Sequence, residues 1–207
     1  MMSASVGMTR YRIVEQDVPV ELWSEITDRL KRNAFRDIDD SAEERSFGWV
    51  SFGNMLDADF ALCPPEKGAY LAFTLRLDTR RVPPAVIKKH VQIAMNAAVQ
   101  AMRDQGKRFL TKEQKEEIRD QVMLRLRART LPIPACFDVM WETTHNTVAI
   151  ASTQSKLLDL FEELFTHTFG LHLEPMTPYF LALRHMGQEH RAKLENFTPT
   201  IFVEGAF

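Results

Sequence analysis

The sequence predicts an α+β fold: antiparallel sheets with packed helices, plus a projecting basic helical hairpin. Three observations predict it. Short apolar runs, bounded by Pro, Gly and polar clusters, read as antiparallel strands. Apolar stripes at three- and four-residue spacing read as packed helices. Between the strand-rich parts, residues 80–130 carry thirteen Lys and Arg against five acids, a net of +8 that leaves −10 for the rest of the 207-residue chain. The formal total of −2 conceals this polarity.

Five parts are expected: a loose tail (1–8), an N-terminal α+β part (9–82), a basic two-helix arm (83–130), a second α+β part (131–176) and a C-terminal tail or interface (177–207). Residues 9–14 (TRYRIV) alternate polar and apolar, as a strand with one buried face does. Pro19 suits a helix start, and Leu22, Trp23, Ile26 and Leu30 form a stripe that should end near Asn33. Residues 46–53 place a Trp between two glycines, which permits a bend or a close backbone approach. Residues 59–63 and 69–77 are expected to pair as strands around a Pro-Pro-Glu-Lys-Gly loop. Leu71, Phe73, Leu75 and Leu77 should face the core, with Tyr70, Ala72, Thr74 and Arg76 on the other side.

The arm opens at Pro83-Pro84. Ile87, Val91, Ala94, Ala98 and Met102 line one face of its first helix, and Gly106 is the expected stop. Thr111 and Gln114 fit a capping box at the start of the second helix, whose apolar face carries Ile118, Val122 and Leu126. Pro132 and Pro134 force an extended return. Residues 137–141 and 147–151 read as a hairpin. Residues 155–169 read as an amphipathic helix with Leu157, Phe161, Leu164, Phe165 and Thr168 inside and Gly170 as its stop. A short strand at 171–173 and a helix around 180–193 complete the reading. The aromatic residues of the tail, such as Phe197, suit either the body or a second subunit.

Chemistry is constrained mainly by what the motifs lack. Cys63 and Cys136 are two lone cysteines, expected as buried free thiols in a reducing compartment. No run approaches the ~18 apolar residues of a membrane span, and no signal peptide is evident, so a cytoplasmic protein with no membrane partner is expected. The six histidines show no HxxxH pair, and there is no CxxC, phosphate-binding glycine loop or GxSxG. No cofactor, metal or catalytic step is expected. Asp37, Asp39, Asp40 and Glu43 could serve a Mg²⁺-dependent nuclease, but bunched in one loop they read as a solvated connector.

A basic arm beside an acidic body points to a polyanion. Two windows sharpen this: residues 103–112 hold four basic side chains against one acid, and 125–129 hold three against none. The order of parts also resembles the RdgC family of bacterial recombination-associated proteins. The resemblance covers roughly residues 9–175. It rests on Gly48-Trp49-Val50 after the first helix, the Val82-Pro83-Pro84-Ala85-Val86-Ile87-Lys88 string, the basic arm with Thr111-Lys112-Glu113, Met140-Trp141, and the helix at 155–169.

That resemblance implies sequence-independent DNA binding, double-stranded DNA foremost, by a nucleoid-associated homodimer with a functional link to RecA. The expected phosphate contacts are Lys88, Lys89, Arg103, Lys107, Arg108, Lys112, Lys115, Arg119, Arg125, Arg127 and Arg129. Family members form ring-shaped dimers and continue well beyond the matched region, so the resemblance implies a C-terminally shortened member, with ring closure and DNA binding open. A protein-interaction module of the same fold is the first alternative, and the nuclease is the second.

Overall fold

The computed structural model describes residues 6–15, 18–104 and 109–198. It is an α+β protein. Among the described residues, the strands are β1 (Thr9–Ile13), β2 (Arg45–Ser51), β3 (Glu66–Lys67), β4 (Tyr70–Thr79), β5 (Ile133–Glu142), β6 (Thr147–Ile150) and β7 (Leu173–Pro175). The helices are α1 (Val20–Arg32), α2 (Pro84–Asp104), α3 (Lys112–Arg127), α4 (Ser155–Phe169), α5 (Pro178–Met186) and α6 (Arg191–Glu195). The sheet is antiparallel, in the order β2-β4-β5-β6-β1-β7, with β3 also on β4. The chain divides into two compact units: Met1–Ser24, Glu66–Leu71 and Val139–Phe207 form one, and Glu25–Pro65 and Ala72–Asp138 form the other.

In the first unit, β1 lies between β6 and β7, with Thr9 opposite Ile150 and Ile13 opposite Leu173. Tyr11 and Ile13 are buried, as the alternation predicts. The predicted stripe of α4 is buried too, and Phe169 joins it. Trp141 is fully buried, with ring centroids of Trp23, Phe165 and Phe169 at 5.4, 5.5 and 5.4 Å. Such tilted and edge-on pairs stabilise beyond the area they bury. Gly170 adopts φ +72°, and its amide donates to Thr166 O at 2.8 Å, closing the helix where the sequence places its stop. The expected strand at 171–173 forms two residues later, as β7. The expected helix at 180–193 is broken: α5 ends at Gly187, a 3₁₀ turn covers Gln188–His190, and α6 follows. Thr177 caps α5 through its hydroxyl and Pro178 starts it.

The second unit is organised around β2 and β4. Trp49 is fully buried, edge-on to Phe73 at 5.0 Å. The segment just after α1 runs so close to β2 that a methyl group at Gly48 would lie 2.5 Å from Phe35 N. There the amide of Trp49 donates to Asn33 O and that of Phe35 to Trp49 O.

The predicted strand at 59–63 is absent. The amides of Ala61 and Leu62 donate instead to the Asp57 carboxylate at 3.2 and 3.0 Å, and Phe60 sits at φ +55°. An aspartate that gathers backbone amides competes with a strand ladder. The hairpin therefore turns at residues 68–69, between β3 and β4. Nor is β4 one-sided. Ala72, Thr74, Arg76 and Asp78 are buried along with Leu71, Phe73 and Leu75, while Leu77 is only half-buried. The polar ones are satisfied: Thr74 donates to Asp138 at 2.9 Å, and Arg76 forks onto Asp78 at 2.8 and 2.7 Å. The two cysteines are free, as expected, but they are not buried: Cys63 is half-buried and Cys136 exposed. Cys63 sits in the Asp57 loop rather than in a strand.

Candidate nucleic-acid interface

The arm is built from α2 and α3, which pack against each other within the second unit. Pro84 opens α2, where its missing N–H costs nothing, and the amides of Val86 and Ile87 donate to Pro83 O. The predicted stripe from Ile87 to Met102 is half-buried throughout, as suits small side chains on a narrow helix contact. The capping box is present: Gln114 N–H donates to Thr111 Oγ1 at 3.3 Å, and Thr111 N–H donates to Gln114 Oε1 at 3.0 Å. Val122 and Leu126 are buried at the proximal end of α3, with Ile118 half-buried. The expected stop at Gly106 lies outside the described residues.

The sequence-derived basic residues fall into three groups. Lys88, Lys89, Arg103, Lys112, Lys115, Arg119, Arg125 and Arg129 are all exposed. Lys107 and Arg108 lie outside the described residues. Arg127 is half-buried and its guanidinium bonds the Glu44 carboxylate. Lys112 approaches Glu116 at 4.0 Å, a solvated pair of little consequence. Among the described residues, the other exposed members make no ion pair.

Geometry divides the charge of α3. At about 100° per residue, Lys112, Lys115 and Arg119 fall within roughly 60° of one another. Glu113, Glu116, Glu117 and Asp120 occupy the neighbouring arc. The helix therefore presents a basic edge and an acidic edge, which net charge alone hides. Lys88 of α2 and Arg119 of α3 line one groove over an apolar floor of Ile87, Val91 and Met123. An adjoining groove, sharing Pro84, Ile87 and Met123, is lined by Arg80, Arg81, Arg127 and Glu44. Lys89, Lys112, Lys115, Arg125 and Arg129 are not lining residues of either groove.

Two further arginines belong to the basic segment, but charge counting does not single them out. Arg81 is exposed and Arg80 is 4% exposed. Arg80 donates to the carbonyls of Arg127, Thr130, Ile38 and Asp39, so it ties α3 to the loop before β2. The signal for it was its place where β4 hands over to the double proline.

The acidic run behaves as a connector. Asp37, Asp39, Asp40 and Glu43 are exposed between α1 and β2, and Asp39 N–H donates to Asp37 Oδ1 at 2.7 Å. Among the described residues, no three His, Cys, Asp or Glu side chains are grouped so as to hold a metal ion. No helix among them is long and apolar enough to cross a membrane.

Fold and arm together define a mixed α+β protein whose positive charge is concentrated in residues 80–130, the segment that forms a pair of packed helices. The chain belongs to the RdgC family: the family model described as "Putative exonuclease, RdgC" matches residues 8–187. That span covers both units' strands, the whole arm and α5. No curated protein matches the sequence. Family membership supports a recombination-associated protein.

Proposed function

We propose that the chain binds DNA without regard to sequence, as a homodimer, and thereby modulates homologous recombination in functional connection with RecA. One observation carries the reading. Lys88, Lys89, Arg103, Lys115, Arg119, Arg125 and Arg129 are exposed and, among the described residues, without an ion-pair partner. Long cations left in solvent along one helical pair and just past its end suit phosphates rather than base edges, because they offer charge without fixed geometry. The acidic edge of α3 turns the duplex toward the Lys112–Lys115–Arg119 edge by repulsion.

Fluorescence anisotropy with a labelled duplex of arbitrary sequence tests this. With about six phosphates neutralised, the logarithm of affinity falls with the logarithm of salt at a slope near −5. The variant Lys88→Ala/Lys115→Ala/Arg119→Ala should bind more weakly, with a slope shallower by about 3. Salt-independent binding would sink the proposal. No binding even at low salt would move the role to a protein partner docking on the same fold.

The family description favours a second reading, cleavage of DNA ends. Its candidates here are the exposed carboxylates Asp37, Asp39, Asp40 and Glu43. Incubation of linear duplex with the protein and Mg²⁺ separates the two. The binding reading expects intact ends, whereas degradation lost in Asp37→Asn/Asp40→Asn would establish the nuclease.

A further inference from the structure

We propose that the base of the arm carries a built phosphoryl-anion site, formed by Arg81 and Arg127 against buried Arg80, whose place Glu44 fills in the free chain. It deepens the DNA-binding reading by naming one fixed phosphate position among many loose ones.

The argument starts from Arg80. Its guanidinium is buried, yet every partner it has is a neutral carbonyl oxygen. Its Nε is also buried and has no hydrogen-bond partner. Among the described residues, no carboxylate pairs with it. Carbonyls satisfy the donors of a guanidinium but leave its charge uncompensated, and buried charge without a counter-charge is costly. Arg80 lines a groove together with Arg81 and Arg127, so three arginines border one concavity. The start of α2 borders that groove at Pro83 and Pro84, and the first turn of α2 holds no acid. The partial positive charge of a helix N-terminus therefore adds to the field.

Glu44 is the one acid lining the groove among the described residues. It is held there by its backbone, since Arg80 N–H donates to Glu44 O at 2.8 Å. Its carboxylate takes a guanidinium N–H of Arg127 but remains 60% exposed. An exposed pair of this kind contributes little and exchanges readily. Two oxygens sharing one negative charge describe a carboxylate and a phosphodiester alike, and arginine forks onto both. Glu44 is thus an internal stand-in for phosphate. When a phosphate enters, Glu44 swings into water and Arg127 changes partner. The neighbouring groove then offers Lys88 and Arg119 to the same strand.

Two probes test this on the full chain: a duplex by anisotropy, and inorganic phosphate by ¹H–¹⁵N NMR at constant ionic strength against chloride. Glu44→Gln removes the stand-in and should tighten duplex binding at least threefold at low salt. Arg127→Gln keeps the backbone carbonyl that Arg80 uses. It should weaken binding, flatten the salt slope by about 1, and abolish the gain from Glu44→Gln when the two are combined. Phosphate should give saturable shifts near Ala85 and Arg127, larger in Glu44→Gln and lost in Arg81→Gln/Arg127→Gln. Those shifts together with the duplex effects support a DNA phosphate as the occupant. Saturable shifts without duplex binding support the site for free phosphate and overturn the DNA reading. No saturable shift, with Glu44→Gln and Arg127→Gln binding duplex as wild type does, overturns the site while leaving DNA binding by the rest of the arm intact.

Discussion

A methyl group at Gly48 would lie 2.6 Å from Ala34 C and 2.5 Å from Phe35 N, and backbone cannot step aside as a flexible side chain can. Gly48→Ala should therefore cost at least the ~3 kcal/mol at the upper end of ordinary overpacking, read as a fall in urea midpoint at unchanged m. Asp57 acts differently. Burial alone would raise its pKa. The amides of Leu62 and Ala61 and the Ser51 hydroxyl outweigh that and hold the carboxyl below its ordinary value. A carboxyl whose folded pKa is depressed stabilises the fold above its unfolded pKa of about 3.9 and loses that contribution as pH falls toward the folded value. Asp57→Asn should accordingly flatten the acid limb of a stability-against-pH curve, measured by urea titration, while lowering stability at neutral pH. A steeper acid limb in the variant would contradict the assignment.

Elements with strong local signals were legible in the sequence. α4 could be read because its apolar spacing, its length and Gly170 agree. α3 could be read because Thr111 and Gln114 form their reciprocal bonds. Phe165→Ala should cost about 3–5 kcal/mol, since the ring packs against Trp141, Phe161 and Phe169. Thr111→Ala should remove about 1 kcal/mol from the start of α3, seen as faster amide exchange in its first turn, with the buried Val122 end of the helix unaffected. Three readings differ from the structure, and only one of them through a contact distant in sequence. The run at 59–63 has strand-like composition, but Asp57 captures its amides. The polar side of β4 is buried because Asp78, two residues along the same face, and Asp138, 64 residues away, partner Arg76 and Thr74; only the second partner lacks a local signal. The C-terminal helix breaks at Gly187, whose φ of +92° no helix continues through.

At the scale of the whole molecule, charge was the legible part of the candidate interface. Counting along the chain locates the arm but does not sort its arginines. Arg80 and Arg127 look alike in sequence to Arg125 and Arg129. Only the fold shows that Arg80 is buried on carbonyls, that Arg127 leans on Glu44, and that Arg125 and Arg129 stand free of both grooves. A duplex should feel that difference. Single alanine substitutions at Arg125 and Arg129 should each reduce the salt slope by no more than about 1, leaving fold stability unchanged within ~0.5 kcal/mol by thermal melting.

The interleaved path of the chain bears on how the protein is made. β1 leaves the ribosome well before its partner strand, since Thr9 pairs with Ile150, about 140 residues later. Closing so long a loop costs about 4 kcal/mol in chain entropy, and nothing repays it until β6 and β7 exist. The unit that carries the arm ends at Asp138, so all of its residues are made before β6. Its completion leaves β1 waiting with two open edges, each a template for another nascent chain. Pulse-labelled exchange during refolding should find the amides of Tyr11 and Ile13 protected last. Synthesis at high local density should make that strand the seed of misassembly.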